Sequence, residues 1–180
     1  MESLITLDDR GRMVPTDRAA LAESIAALLD GPLAQPGPLR QAGVGLLVLG
    51  RHHEAVRVLE RALALADERR AVAVHINLGD ARRYRGDPAT AEPHYQEALR
   101  LAHAHAPELL YHCFQHLGKQ RLEQGRTVEA RTLLDEAMRR IDGDAPLVAA
   151  TATALRLADE ADAAAGPPDG GGEVRPAGRS

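Results

Sequence analysis

The chain has 180 residues, the length of one domain or of a short array of repeats. It carries 33 Ala and 25 Leu against 14 Val plus Ile, three Tyr, one Phe and no Trp, a balance that excludes a mostly-β fold and favours helices. A net charge of −4 provides no global field for nucleic acid or an acidic membrane, and the single Cys113 rules out an internal disulfide or a Cys-based zinc site.

In chain order, residues 1–15 read as irregular. They form either a loose hairpin around Asp8-Asp9-Arg10-Gly11 or an extended arm, and they lack the charged and apolar regions of a signal peptide. Thr16 or Asp17 can cap a helix running to about Leu29, with Leu21, Ile25, Leu28 and Leu29 on one face. Asp30-Gly31-Pro32 stops it, and residues 30–38 read as a Pro- and Gly-rich linker, so that 1–37 form an N-terminal arm and helix. From residue 38 the chain repeats itself. Gly50 is followed by Ala55, Leu59 and Ala62; Gly86 by Ala91, Tyr95 and Ala98; Gly125 by Ala130, Leu134 and Ala137. Seven residues before each of these glycines stands another: Gly43, Gly79 and Gly118. The spacing predicts a helix, a tight turn at the second glycine, and an antiparallel helix. The first glycine of each set lies inside a helix, where it costs about 1 kcal/mol relative to Ala, so a neighbouring helix is expected to pass too close for a side chain. Such pairs bury their apolar faces only by stacking on one another.

The pattern resembles the tetratricopeptide repeat over residues 38–142, in three units at about 38–70, 71–105 and 107–142. The resemblance implies an all-α right-handed superhelix of three helix pairs, with the helix at its N-terminal end and a capping helix over 143–165. Asp144 is the expected cap of that last helix, and Gly- and Pro-rich 166–180 reads as a disordered tail. Three local points stay open on the residues alone. Arg82 and Arg121 stand where the family places an aromatic, and they need carboxylate partners or must reach outward. No breaker separates Leu65 from Ile76, which allows one long helix. Pro93 either kinks its helix or lies in a first turn capped by Thr90.

Chemistry-bearing motifs are few. His112 and His116 lie one turn apart with Cys113 between them, but no third and fourth ligand completes a metal site. No nucleophile elbow or phosphate loop is present, and Arg82-Arg83-x-Arg85 reads as solvated surface. No cofactor, no metal and no enzymatic activity are expected. No stretch reaches the roughly 18 apolar residues of a membrane span, which suits a cytoplasmic protein. The resemblance implies a non-enzymatic adaptor or scaffold whose first-of-pair helices line a groove for a peptide or partner helix. Carried onto this chain, the groove consists of Arg40, Val44, Leu47, Ile76, Asn77, Asp80, Arg83, Tyr84, His112, Gln115, His116 and Lys119, and it suits an extended chain of some acidic character. The positions at which some family members clamp a terminal carboxylate are Arg40, Val44, Asn77, His112 and His116 here, a set that keeps one cation and one Asn. The alternatives are a self-associating homo-oligomer whose grooves pair and a histidine-based metal protein or enzyme.

Overall fold

The computed structural model describes residues 1–31 and 35–165. The linker's centre and the tail expected to be disordered lie outside the described residues. Two three-residue strands, β1 (Ile5–Leu7) and β2 (Met13–Pro15), precede eight α-helices: α1 (Arg18–Asp30), α2 (Pro36–Val48), α3 (His52–Ala64), α4 (Glu68–Tyr84), α5 (Pro88–His105), α6 (Leu110–Glu123), α7 (Thr127–Met138) and α8 (Ala145–Ala165). The helices α2–α3, α4–α5 and α6–α7 form three pairs, with α1 packed on the first and α8 on the last. This is an all-α helical repeat fold with one short hairpin added.

The pairs are built as the glycine spacing requires. Gly50, Gly86 and Gly125 take φ of +79°, +84° and +73°, the left-handed region that glycine tolerates best. At each, the same two bonds close the turn: Gly50 N–H to Leu47 O with Arg51 N–H to Leu46 O, and their counterparts from Gly86 and Asp87 and from Gly125 and Arg126. Inside the helices, a Cβ on Gly43 would lie 2.6 Å from Leu59, one on Gly79 2.5 Å from Tyr95, and one on Gly118 2.8 Å from Leu134. The side chain nine residues after the turn glycine therefore fills the gap that its partner glycine leaves. Ala55, Ala91 and Ala130, and likewise Ala62, Ala98 and Ala137, are fully buried at the same interfaces. The apolar core runs between neighbouring pairs as separate clusters rather than as one centre.

The local questions resolve through caps and ion pairs. Asp17 caps α1 by accepting from the amides of Ala19 and Ala20, and Asp144 caps α8 by accepting from Leu147 at 3.0 Å. No single helix spans Leu65 to Ile76, because Asp67 accepts from the Arg70 amide at 2.7 Å and starts α4 afresh. Asp67 is the stop-and-start signal at this junction. Thr90 is not the cap of α5: Asp87 is, Pro88 opens the helix, and Pro93 lies in its second turn. Arg121 is buried and pairs with Glu92 at 2.5 Å, while Arg82 faces Glu60 at 3.6 Å. Residues 1–15 take the hairpin alternative, with Ile5 opposite Pro15, Thr6 opposite Val14 and Leu7 opposite Met13. Asp8 organises its loop by accepting from the Arg10 and Arg12 amides, and Gly11 turns at φ +69°.

Candidate binding face

The first helices of the three pairs, α2, α4 and α6, share one face, and three kinds of side chain occupy it. The first kind belongs to the core. Leu47 and Ile76 are 2% and 5% exposed, so two of the expected groove residues spend their side chains on packing. Leu47 packs in the cluster formed by α1 to α4, and Ile76 in the cluster that α4 shares with α5 and α6.

The second kind is a buried polar network. Asp80 is completely buried and accepts from the Tyr95 hydroxyl at 2.8 Å and from Arg83 at 3.2 Å. His116 Nδ1 sits 2.9 Å from each oxygen of the same carboxylate, with hydrogen-bond geometry only toward Oδ1. Arg83 also donates to the Tyr95 hydroxyl at 3.1 Å and to Glu123 at 2.7 Å. Burial alone would raise the Asp80 pKa. The adjacent His116, Arg83 and Tyr95 outweigh it and hold the carboxyl below the usual range, so Asp80 is ionised at neutral pH. Gln115 is buried too and donates to Thr151 of α8 at 2.7 Å. Asp80, Arg83 and Gln115 thus tie helices together and present little surface to a partner.

The third kind is accessible. Arg40 donates to Asn77 at 3.2 Å across the first two pairs. Tyr84, His112 and Lys119, with Leu7, Gly11 and Met13 of the hairpin and Asp144, Pro146, Leu147 and Ala150 around α8, line a cleft of about 480 Å³. Lys119 makes no hydrogen bond or ion pair among the described residues, and burial lowers its pKa. His112 is pushed down to about 4, first by burial and then by His116, and is neutral at pH 7. The five carboxylate-clamp positions do not form a cationic cluster here. His116 is committed to Asp80, His112 is neutral, and Val44 packs against the core of the first pair.

Two participants escaped the sequence reading. Glu123 receives both Arg83 and Arg12, and its only signal was its place one turn beyond Lys119 on α6. The hairpin lies across the face itself. Arg12 reaches Glu123 at 3.0 Å, the Met13 amide donates to the Tyr84 hydroxyl at 3.1 Å, and the Arg12 guanidinium lies 5.5 Å over the Tyr84 ring. Among the described residues no group of three or more His, Cys, Asp or Glu could hold a metal ion, and no helix is long and apolar enough to cross a membrane. Burial pushes the Cys113 thiol up to about 12, which keeps it protonated and unreactive.

A search of curated proteins finds no match to this chain. Residues 38–104, which take in nearly all of α2 to α5, match the family model described as a tetratricopeptide repeat. Repeats of this family generally mediate protein–protein interaction and are typically not enzymes. Over residues 38–104, with their glycine-anchored helix pairs, the chain is similar to the tetratricopeptide-repeat family.

Proposed function

We propose that the protein is a non-enzymatic interaction module that holds a segment of a protein partner against the face of α2, α4 and α6. One observation carries this reading. The cleft between α4, α6 and the start of α8 sets apolar walls, Leu147 and Ala150, beside the Tyr84 ring and a Lys119 ammonium that has no ion pair among the described residues. Apolar walls with a few polar groups are the usual make-up of a recognition site, and a cation without a counter-ion favours a partner group that supplies negative charge. The selective contacts fall to Tyr84, His112 and Lys119. Arg40 and Asn77 extend the face toward the first pair.

The test is capture of partners from extract of the native cell by immobilised full-length protein and by its Lys119→Glu variant. Lys119 is the right position because it makes no hydrogen bond or ion pair to the buried network among the described residues, and feels Asp80, Arg83 and Glu123 only through longer-range charge. Arg83, by contrast, is 5% exposed and paired with two carboxylates, so reversing its charge disrupts folding before it reports on binding. The expected result is loss of the captured partner with helical content unchanged. Undiminished capture by Lys119→Glu counts against this face.

A further inference from the structure

The N-terminal hairpin is too small to hold itself together. Its two strands have three residues each, and an isolated two-stranded hairpin is marginal at best in water. Its order therefore comes from the surface beneath it. Met1, Leu4, Ile5 and Met13 pack against the cluster made by α1, α2, α3 and α4. Beside them Met1, Ser3 and Ile5 face Arg40, Gln41 and Val44 of α2 across a shallow cavity. Further along, Arg12 and Met13 engage Tyr84 of α4 and Glu123 of α6, and the Gly11 Cβ position lies 4.0 Å from Lys119 Nζ. The hairpin thus crosses all three first-of-pair helices.

Its polar ties to the face are light. The Arg12–Glu123 pair is 43% and 33% exposed, and exposed ion pairs contribute little. Glu123 also keeps its shorter contact to Arg83, so losing Arg12 leaves the Asp80–Arg83–Tyr95 network intact. A segment that replaces the hairpin need only supply what the hairpin supplies: extended backbone, small to medium apolar side chains and one cation for Glu123 and the Tyr84 ring.

We infer that the hairpin is a resident intramolecular ligand of this face, and that a partner binds by displacing it with an extended apolar segment bearing an arginine. This rests on the reading of the face as a partner-binding site and deepens it. It also revises the chemistry of the partner, because the acidic character expected from Lys119 applies to the α8 end of the cleft, while the Glu123–Tyr84 corner selects a cation.

The test uses the full chain and a fluorescent peptide of residues 1–16 as the probe. In the full-length Arg12→Glu/Met13→Ala variant, the resident hairpin loses its cation and an apolar contact while the face beneath is unchanged. Anisotropy titration should show the peptide binding this variant at least tenfold more tightly than wild type. The same peptide carrying Arg12→Glu should lose at least tenfold in affinity for the variant. Circular dichroism matching wild type shows that the variant is folded. Equal affinity for both proteins, no binding to either, or tight binding of the Arg12→Glu peptide overturns the inference. Those failures leave Lys119-dependent capture of a partner untouched, and loss of that dependence leaves peptide displacement untouched, so the two readings fail separately.

Discussion

Replacing Gly79 by Ala adds one methyl group to α4 and tests how closely the second helix pair is fitted. In an open helix the change stabilises by about 1 kcal/mol. Here the new Cβ lies 2.5, 2.7 and 2.8 Å from three atoms of the Tyr95 ring, whereas ordinary contact begins near 3.4 Å. The ring would have to retreat by about 0.9 Å, the difference between those distances. It cannot retreat freely. It is fully buried, and its hydroxyl is held between Asp80 at 2.8 Å and Arg83 at 3.1 Å. Overpacking costs about 1–3 kcal/mol, and weakening a hydrogen bond to a charged group adds roughly 1.5 kcal/mol more. After subtracting the helix-propensity gain, Gly79→Ala should destabilise by about 2–3 kcal/mol. Urea unfolding followed by circular dichroism would register this as a midpoint lowered by about 1 M or more, with the slope unchanged. A double-mutant cycle localises the cause: against a Tyr95→Ala background, the same substitution should cost nothing or stabilise. A Gly79→Ala midpoint equal to or above wild type would refute the account of glycine as clearance for Tyr95.

Two other consequences are open to measurement. His94 is pushed down to about 4, first by burial and then by Arg82 and His75, and His112 to about 4 mainly by burial, while both titrate near 6.5 when unfolded. The unfolded chain then binds more protons between those values, so stability is complete above about pH 6.5 and falls as pH drops toward 4; allowing for their partial exposure, the loss between pH 7 and 5 is roughly 1 kcal/mol per histidine. His94→Gln should remove part of that slope, and equal unfolding midpoints for wild type at pH 7 and 5 would contradict the burial of neutral imidazole. Gly50→Ala meets no atom within 4 Å but holds φ at +79°, so it should cost about 1 kcal/mol by thermal melt, from backbone conformation alone; a larger loss would mean that side-chain clearance also matters there.

The helix pairs were legible because what makes them is local. A turn glycine, a buried Ala five residues on and a large side chain nine residues on are set by one turn and the two helices that flank it. Asp67 and Asp87 show the edge of that legibility. Their cap roles are local too, but a capping carboxylate inside a charged run looks like any surface acid until the amide it accepts from is known. The face was legible as a set of helix positions and not as a set of accessible groups. Leu47 and Val44 are three residues apart on α2, yet the first is core and the second only half-buried. What separates them is the approach of other elements. Arg83 is closed off by Glu123, forty residues away, and Tyr84 by Met13, seventy-one residues away in the other direction. Single-chain periodicity carries no trace of such pairings.

Aligning the three pairs on their helix glycines explains why the polar network exists in only one of them. One residue after Gly43, Gly79 and Gly118 stand Val44, Asp80 and Lys119; four after stand Leu47, Arg83 and Leu122; across the gap lie Leu59, Tyr95 and Leu134. The first pair solves the site with Val, Leu and Leu. The second solves it with Asp, Arg and Tyr, whose hydroxyl needs partners once buried. The three polar residues form one unit, and changing them singly or together should have opposite outcomes. Asp80→Asn leaves Arg83, 4% exposed at its side chain, with Glu123 as its remaining counter-ion, and breaking a buried pair in this way costs about 3–5 kcal/mol. Converting all three residues to the first pair's set, Asp80→Val/Arg83→Leu/Tyr95→Leu, removes both buried charges of this network at once. His116 and Glu123 lose partners, but at 18% and 33% exposure they have water in reach. Exchanging a buried ionic group for packed apolar side chains is often neutral or stabilising. The triple variant should therefore unfold at a higher urea concentration than Asp80→Asn. A triple variant less stable than the single one would mean that the network supplies net stability to the solenoid, and that the second pair is not a polar rewrite of the first.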